Sequence, residues 1–218
     1  MTLLETVNGL LRRMRENEVA STDDNTYSKM LVDIVNDSKT LVENAYDWTA
    51  LRSTITFNTV ASTTNYSLAG SGDRVKVINV LNDTQNQVIR LTNQTQIDKN
   101  QTLNASSEGA PYLYIFRNKD SSGDMTVDLY PTPDAVYSVD FNVIKPQALL
   151  VANTNDATEI LAPNLPILHL ALALAVRERG ETGGTSAQEY FNIADGFLSD
   201  AIAFDSARQP AEAIWYYV

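Results

Sequence analysis

The spacing of the apolar residues changes twice along this chain, and these two changes constrain its fold most strongly. Apolar residues recur every three or four positions near the N-terminus, alternate with polar residues through the middle, and return to helical spacing near the C-terminus. Helical spacing is typical of an amphipathic helix, whereas alternation is typical of a half-buried strand. The chain is therefore predicted to form helices, then a β unit, then helices again.

Two helices are predicted before the β unit and two after it. The stripes of the first pair begin at Leu3 and Tyr27. The third helix is apolar on all sides from Ile167 to Val176, which indicates a helix surrounded by protein. The fourth carries a stripe from Ala187 to Ile202. Because the first two helices need the last two to bury their stripes, the four are predicted to form one bundle.

The middle of the chain is predicted to hold about six short antiparallel strands separated by turns. Apolar residues switch face between Val77 and Ile78, which indicates either a β-bulge or burial on both faces. The polar stretch 92–107 is predicted to be a loop with one short helix. The predicted fold class is α+β: a four-helix bundle formed by the N- and C-terminal helix pairs (1–50 and 147–206), an inserted antiparallel β domain (51–146) and an extended C-terminal tail (207–218).

Composition and charge narrow the classes of function. The absence of cysteine excludes disulfides and thiolate metal sites and indicates assembly in a reducing cytoplasm. With a net charge of −11, the chain lacks the basic surface of a protein that binds DNA tightly. The same charge suits a protein that lets DNA slide past. The N-terminus does not resemble a signal peptide, and the longest apolar run, Leu165–Val176, is about half of a membrane span, so a soluble protein is expected.

Side chains that could carry catalysis are few. His169 is the sole histidine and lies in the all-apolar helix, where a structural role is expected. Glu43 and Asp47 lie one helical turn apart and are expected on a solvated face, while Asp23 and Asp24 precede a helix. Neither a catalytic set nor a cofactor is predicted.

Other possible binding motifs also have simpler interpretations. The loop Asp120–Asp124 lacks the acidic residue that completes a calcium loop, and Gly70-Ser71-Gly72 is too short for a phosphate loop. The alternating aromatic residues of the strand near position 114 are expected in a core rather than under nucleobases. The aromatic residues in question are Tyr112, Tyr114 and Phe116. Arg12, Arg13 and Arg15 are expected on the solvated face of the first helix.

The C-terminal tail is rich in aromatic residues. It ends in Ile214-Trp215-Tyr216-Tyr217-Val218, and such side chains are enriched where partners dock. Two interpretations stay open at this point: the tail reaches a neighbouring chain, or it folds back across its own bundle.

Four segments, taken in order, suggest a family. They are Thr2-Leu3-Leu4-Glu5, Leu31-Val32-Asp33-Ile34-Val35-Asn36-Asp37-Ser38, Ala45-Tyr46-Asp47-Trp48-Thr49-Ala50-Leu51-Arg52 and Val127-Asp128-Leu129-Tyr130-Pro131-Thr132-Pro133-Asp134. Together they resemble the phage tail adaptor, or head–tail connector, family of short-tailed phages. The similarity covers nearly the whole chain.

This resemblance implies a structural protein of the virion, assembled in the host cytoplasm and without enzymatic activity. It implies a dodecameric ring below the portal that joins head to tail, extends the DNA channel and offers a platform for the tail nozzle or fibres. The implied partners are the portal protein, a tail nozzle or tube protein, a tail fibre or tailspike, and other copies of the chain, with DNA passing without specific binding. The implied portal-binding residues are Gln209, Ile214, Trp215, Tyr216, Tyr217 and Val218.

Two alternatives from other classes remain open on sequence. One is a tail-associated hydrolase that degrades the cell wall with carboxylates such as Glu43 and Asp47. The other is a scaffold module unrelated to phages, since the order of helices and strands does not separate it from an adaptor.

Overall fold

The chain divides into two units in a computed structural model that describes residues 1–103, 107–180 and 185–208. We call Met1–Leu51 with Gln147–Val218 the helical unit, and Arg52–Pro146 the sheet unit. The five helices are α1 (Leu3–Arg13), α2 (Thr26–Ala45), α3 (Gln94–Leu103), α4 (Asn164–Glu178) and α5 (Thr185–Ser206). The seven strands are β1 (Arg52–Asn58), β2 (Asn65–Ser67), β3 (Lys76–Asn82), β4 (Gln87–Leu91), β5 (Leu113–Lys119), β6 (Met125–Tyr130) and β7 (Ser138–Ile144).

The first two helices begin where the sequence places a capping residue. Thr2 and Glu5 form a reciprocal capping box at the start of α1, and Asn25 and Ser28 do the same for α2. Each box satisfies backbone N–H groups that the first turn of a helix leaves without a partner. The predicted apolar stripe of α1 is confirmed, since Leu3, Val7 and Leu10 are fully buried. The stripe of α2 is confirmed at Leu31 and Val35 but is wrong near the end of the helix, where Leu41, also predicted in the stripe, is 55% exposed.

The predicted four-helix bundle is wrong, although the α+β class is confirmed. Helices α1, α2 and α5 each pack on α4, and α1 also packs on α2. Within the described residues, α5 has no comparable packing against α1 or α2. The all-apolar α4 is therefore a central helix with three neighbours. Apolar residues on all sides of a helix show that protein surrounds it, but they do not specify a four-helix bundle.

The faces of α4 show how these neighbours are arranged. Leu168 faces α1, where a Cβ placed on Gly9 would lie 3.5 Å from its Cδ1 atom. His169 stacks on Phe197 of α5, and Arg177 covers the ring of Phe191. At 100° per residue, the fully buried Ala171 points away from His169 and Arg177. Helix α5 thus covers a face of α4 that lies opposite Ala171.

The sheet unit is a mixed sheet and not a purely antiparallel domain. Its seven strands form one sheet in the order β1-β7-β3-β4-β5-β6-β2. All neighbouring strands are antiparallel except β4 and β5, which pair in parallel through Arg90 with Leu113 and Leu91 with Tyr114. Because parallel neighbours need a crossover, the chain passes through α3 between them. The prediction of a purely antiparallel unit is therefore wrong.

The predicted bulge in β3 is confirmed. The pairing of β3 with β7 shifts register between Val77 and Asn79, so that Ile78 is the extra residue. After the shift, Val80 points into the core of the unit. That core consists of Leu68, Val80, Ile89, Tyr114, Val127, Leu129, Tyr137, Val139, Phe141 and Val143.

Buried polar side chains of α2 hold the segment that follows β7. Lys39 Nζ donates to the carbonyl oxygens of Gln147 at 2.7 Å and Ala148 at 2.9 Å, and lies 3.6 Å from Glu43 Oε1. Asn36 exchanges two hydrogen bonds with the backbone of Leu150, at 2.8 and 2.9 Å. Lys39 and Glu43 are 0% and 4% exposed, so both charges are compensated inside the unit.

Candidate interaction surfaces

The carboxylate pair proposed from spacing does not form an accessible acid–base site. Glu43 was expected on a solvated face, but it is buried beside Lys39 and accepts a hydrogen bond from the backbone N–H of Gln147 at 3.2 Å. Asp47 lies beyond the end of α2 and is half-buried. A hydrolase needs two carboxyl groups that reach one substrate, and Glu43 does not reach the surface.

Asp23 and Asp24 form local contacts at the start of α2. Asp23 pairs with Lys29 at 2.6 Å, and Asp24 accepts from the backbone N–H groups of Ala20 and Ser21. These contacts close the turn that precedes the helix. Both carboxylates therefore bind nearby protein groups, and they do not face a cleft together.

His169 lies at the contact between α4 and α5. Its ring stacks on Phe197 with 4.3 Å between the centroids. Burial, with a smaller contribution from the nearby positive charge of Arg13, lowers the pKa of His169. The neutral imidazole therefore serves as an aromatic packing group.

The loop Asp120–Asp124 is a turn between β5 and β6. Asp124 accepts from the backbone N–H groups of Gly70 at 2.7 Å and Gly72 at 2.8 Å, and Asp120 accepts from Ser67 Oγ at 2.6 Å. These carboxylate oxygens bind protein donors, and the Ser67 hydrogen bond lowers the pKa of Asp120. Across the described part of the chain, no three His, Asp or Glu side chains are placed to hold a metal ion.

The aromatic residues around β5 belong mainly to the sheet core. Tyr114 is buried against Phe116 and Phe141, and burial raises its pKa to about 12. Tyr112 precedes the strand and packs edge-on against Tyr130. The expectation of a core face is confirmed for Tyr114, because its ring is covered by protein on both sides.

One side of α5 is more exposed than its sequence stripe predicts. Ile193, Phe197, Asp200 and Phe204 recur at spacings of four, three and four, and we call this set the Phe204 stripe. Phe204 is 73% exposed and Ile193 is 48% exposed. The sequence stripe placed Phe197 in a bundle core, yet it is only half-buried, since α4 is the one helix among the described residues that packs extensively on α5.

Phe204 stands between two clefts of the helical unit. One, of about 370 Å³, is lined by Leu165, Phe197, Asp200 and Phe204 among others. The second, of about 410 Å³, lies between Trp48, residues 159–164 and the end of α5. Asp205 closes this end by accepting from Thr49 N at 2.9 Å and Thr49 Oγ1 at 3.0 Å. An exposed aromatic ring between two clefts is typical of a contact surface.

A cluster of arginines lies where α1 and α4 end. It consists of the three arginines predicted on the wet face of α1 and two at the end of α4: Arg12, Arg13, Arg15, Arg177 and Arg179. Arg12 pairs with Glu18 at 2.7 Å and Arg179 with Glu16 at 3.2 Å, which brings the ends of α1 and α4 together. We call this cluster the arginine end. Sequence reasoning found its first half, but only the packing of α1 on α4 joins the two halves.

The predicted portal-binding residues, from Gln209 to Val218, lie outside the described residues. The described chain reaches Arg208, which lines the cleft beside Phe204. No helix of the described ranges is long and apolar enough to cross a membrane.

A sequence model of the family described as SU10 adaptor protein matches residues 1–213. No curated protein matches the chain.

Proposed function

This chain belongs to the SU10 adaptor protein family, a family of phage adaptor proteins, and we propose that it forms a ring that joins the head to the tail below the portal. The observation that carries the proposal is the family match over residues 1–213, which spans both units. An adaptor is a structural protein of the virion that contacts other virion proteins. The proposed ring is a dodecamer that extends the DNA channel and provides a platform for the tail nozzle, a tail fibre or a tailspike.

The charge distribution supports a role as a DNA conduit. The helical unit carries 18 acidic and 8 basic residues, whereas the sheet unit carries 9 and 8. An acidic wall repels phosphate and therefore does not trap a passing duplex. We infer that the helical unit contributes acidic surface to the channel and that DNA passes without specific binding.

The aromatic tail is the proposed contact with the portal protein. Trp215, Tyr216 and Tyr217 are the proposed anchors, with Gln209, Ile214 and Val218 beside them. Support comes from composition, because Trp and Tyr are enriched among residues that dominate binding energy.

Size measurements with the portal protein of the same phage test this function. The full chain and a shortened chain that ends at Ala207 are each mixed with the portal, and the mass of the complexes is measured by light scattering. We expect one large complex with the full chain and its loss with the shortened chain. A full chain that never co-elutes with the portal would contradict the proposal.

The alternatives from sequence receive less support. A hydrolase that uses Glu43 and Asp47 is disfavoured because Glu43 is buried and bonded to Lys39 and Gln147. An unrelated scaffold is disfavoured by the family to which the chain belongs.

A further inference from the structure

The Phe204 stripe is only partly covered within the described part of the chain: Phe197 stacks on His169 of α4, whereas Phe204 and Ile193 stay largely exposed. Its residues lie on one side of α5, next to the line along which α5 contacts α4. Phe204 and Ile193 are 11 residues apart and point the same way, since three helical turns separate them. Leu165 of α4, which is 51% exposed, lines the cleft beside Phe204 and extends the apolar surface. A contiguous apolar surface of this kind marks a site of protein association.

Two acidic residues lie on the same side of α5 as this apolar stripe. Glu189 and Asp200 are exposed and form no ion pair within the described residues, and the cation Arg208 is 3.8 Å from Asp205. Two such helices would repel each other if they packed face to face. A partner for this surface must therefore carry positive charge.

The arginine end has that charge. Arg13, Arg15 and Arg177 are exposed and form no ion pair in the described ranges; Arg13 donates to the Gly9 carbonyl, and Arg177 covers Phe191. Five of the eight basic residues of the helical unit lie at this end, and all five are arginine. Arginine is enriched at protein interfaces because its planar group binds carboxylates with two hydrogen bonds and stacks on aromatic rings.

The stripe and the arginine end occupy different places on one chain. Arg177 is 12 residues from Leu165 on the same helix, which corresponds to about 18 Å along α4. Arg13 and Arg15 belong to the end of α1, which contacts α4 at Leu168, on a face turned by about 100° from His169, where α5 packs. Contacts between two different patches of identical chains are heterologous, and they build a ring when the rotation closes.

We propose that the Phe204 stripe of one copy docks on the arginine end of a second copy. This inference rests on the proposed function, because it supplies the contact that would close the adaptor ring. Phe204 and Ile193 provide the apolar centre of the contact. Asp200 faces the guanidinium groups of Arg13 and Arg15 of the next copy.

A mixing experiment with the full-length chain tests the proposal. Phe204→Asp removes the apolar centre of the stripe, and Arg13→Glu with Arg15→Glu reverses the arginine end. We expect wild type to form a closed oligomer by native mass spectrometry and each variant alone to be monomeric. Each variant keeps one intact patch, so an equimolar mixture is expected to form a heterodimer and nothing larger.

Matched controls separate this contact from a loss of folding. Leu149→Asp changes an apolar residue of the same unit that is 64% exposed and lies outside both patches, and it is expected to keep the oligomer. Circular dichroism checks that each variant is folded, and Arg13→Gln with Arg15→Gln serves as a milder change that weakens the oligomer, most clearly at low salt, where the attraction it removes is least screened.

Three results would overturn the proposal: variants that assemble as wild type does, a mixture without a heterodimer, or a wild-type chain that is monomeric up to its solubility limit. The portal measurement distinguishes this failure from failure of the proposed function. If wild-type copies bind the portal but do not associate with one another, the result would support the adaptor role and contradict only the proposed contact between copies.

Discussion

The two units of this protein use polar side chains in different ways. In the sheet unit, polar residues of neighbouring strands pair with one another on the surface: Thr54 with Asn142 and Thr56 with Asp140, each at 2.6 Å. In the helical unit, polar side chains are buried and bind backbone. Lys39 is fully buried and donates to two carbonyl groups.

This difference indicates what stabilises each unit. The sheet unit depends on apolar packing, most of it in the cluster around Phe141, which lies between Phe57 and Tyr114. A smaller cluster consists of Ile97, Ile115 and Tyr130. The helical unit depends on apolar packing around α4 and also on ionised groups that hold irregular segments. We therefore expect removal of a buried apolar side chain to destabilise the sheet unit most, and removal of a buried charge to destabilise the helical unit most.

The largest expected effect is in the sheet core. Phe141→Ala removes a fully buried ring that contacts two other aromatic rings, at centroid distances of 5.8 and 5.3 Å. The free energy of unfolding should fall by about 3–5 kcal/mol, near the upper end because aromatic pairs are also lost. Urea unfolding followed by circular dichroism measures the change. A loss below about 1 kcal/mol would mean that Phe141 is not central to the core.

Breaking the buried ion pair of Lys39 and Glu43 in α2 should lower the free energy of unfolding nearly as much as Phe141→Ala. Lys39→Met leaves the Glu43 carboxylate buried without its cation, which lowers the free energy of unfolding by about 3–5 kcal/mol. Both tryptophans, Trp48 and Trp215, belong to the helical unit, so tryptophan fluorescence during urea unfolding reports on it. The double variant Lys39→Met with Glu43→Met should recover part of the loss. A double variant less stable than Lys39→Met would contradict this account of the pair.

Asp156 should make the helical unit sensitive to acid. Burial alone would raise its pKa, but hydrogen bonds from Thr22, Ser21 and the backbone of Asn153 outweigh burial and lower it. A lowered pKa means that the unfolded chain binds this proton more readily. The stabilisation is therefore present above the ordinary pKa of an aspartate and is lost as pH falls through the lowered value.

Asp156→Asn should lower the free energy of unfolding at neutral pH by about 1–3 kcal/mol, since hydrogen bonds to a charged group are lost. Unfolding measured from neutral pH down to about pH 3, across the ordinary aspartate pKa, should show a weaker pH dependence for the variant. Asp195→Asn, an exposed carboxylate of α5, is the matched control and should follow wild type. Equal pH dependence of wild type and Asp156→Asn would remove Asp156 as the cause.

The smallest effect on stability is expected at Phe204. Because its ring is 73% exposed, Phe204→Ser should change the free energy of unfolding by less than about 0.5 kcal/mol. Thermal unfolding at a concentration where the chain is monomeric measures this. A loss above about 2 kcal/mol would show that Phe204 is a core residue, as after a buried large-to-small change, rather than a contact residue.

Local patterns predicted most of the helices and strands. The stripes from Leu3 and Tyr27 became α1 and α2, and the bulge near Ile78 is present in β3. The family was also predicted from short segments and is confirmed by the match over 1–213. The portal-binding role of the tail stays a prediction.

The amino-acid pattern predicted where an apolar stripe lies in most elements, because burial imposes a period of 3.6 on a helix and of 2 on a strand. It did not determine which element covers which. The tertiary structure alone made α4 the central helix, placed β4 parallel to β5, buried Lys39 and brought the ends of α1 and α4 together through Glu16 and Arg179. Periodicity records that a side chain is covered, whereas the covering partner depends on contacts between residues far apart in the chain.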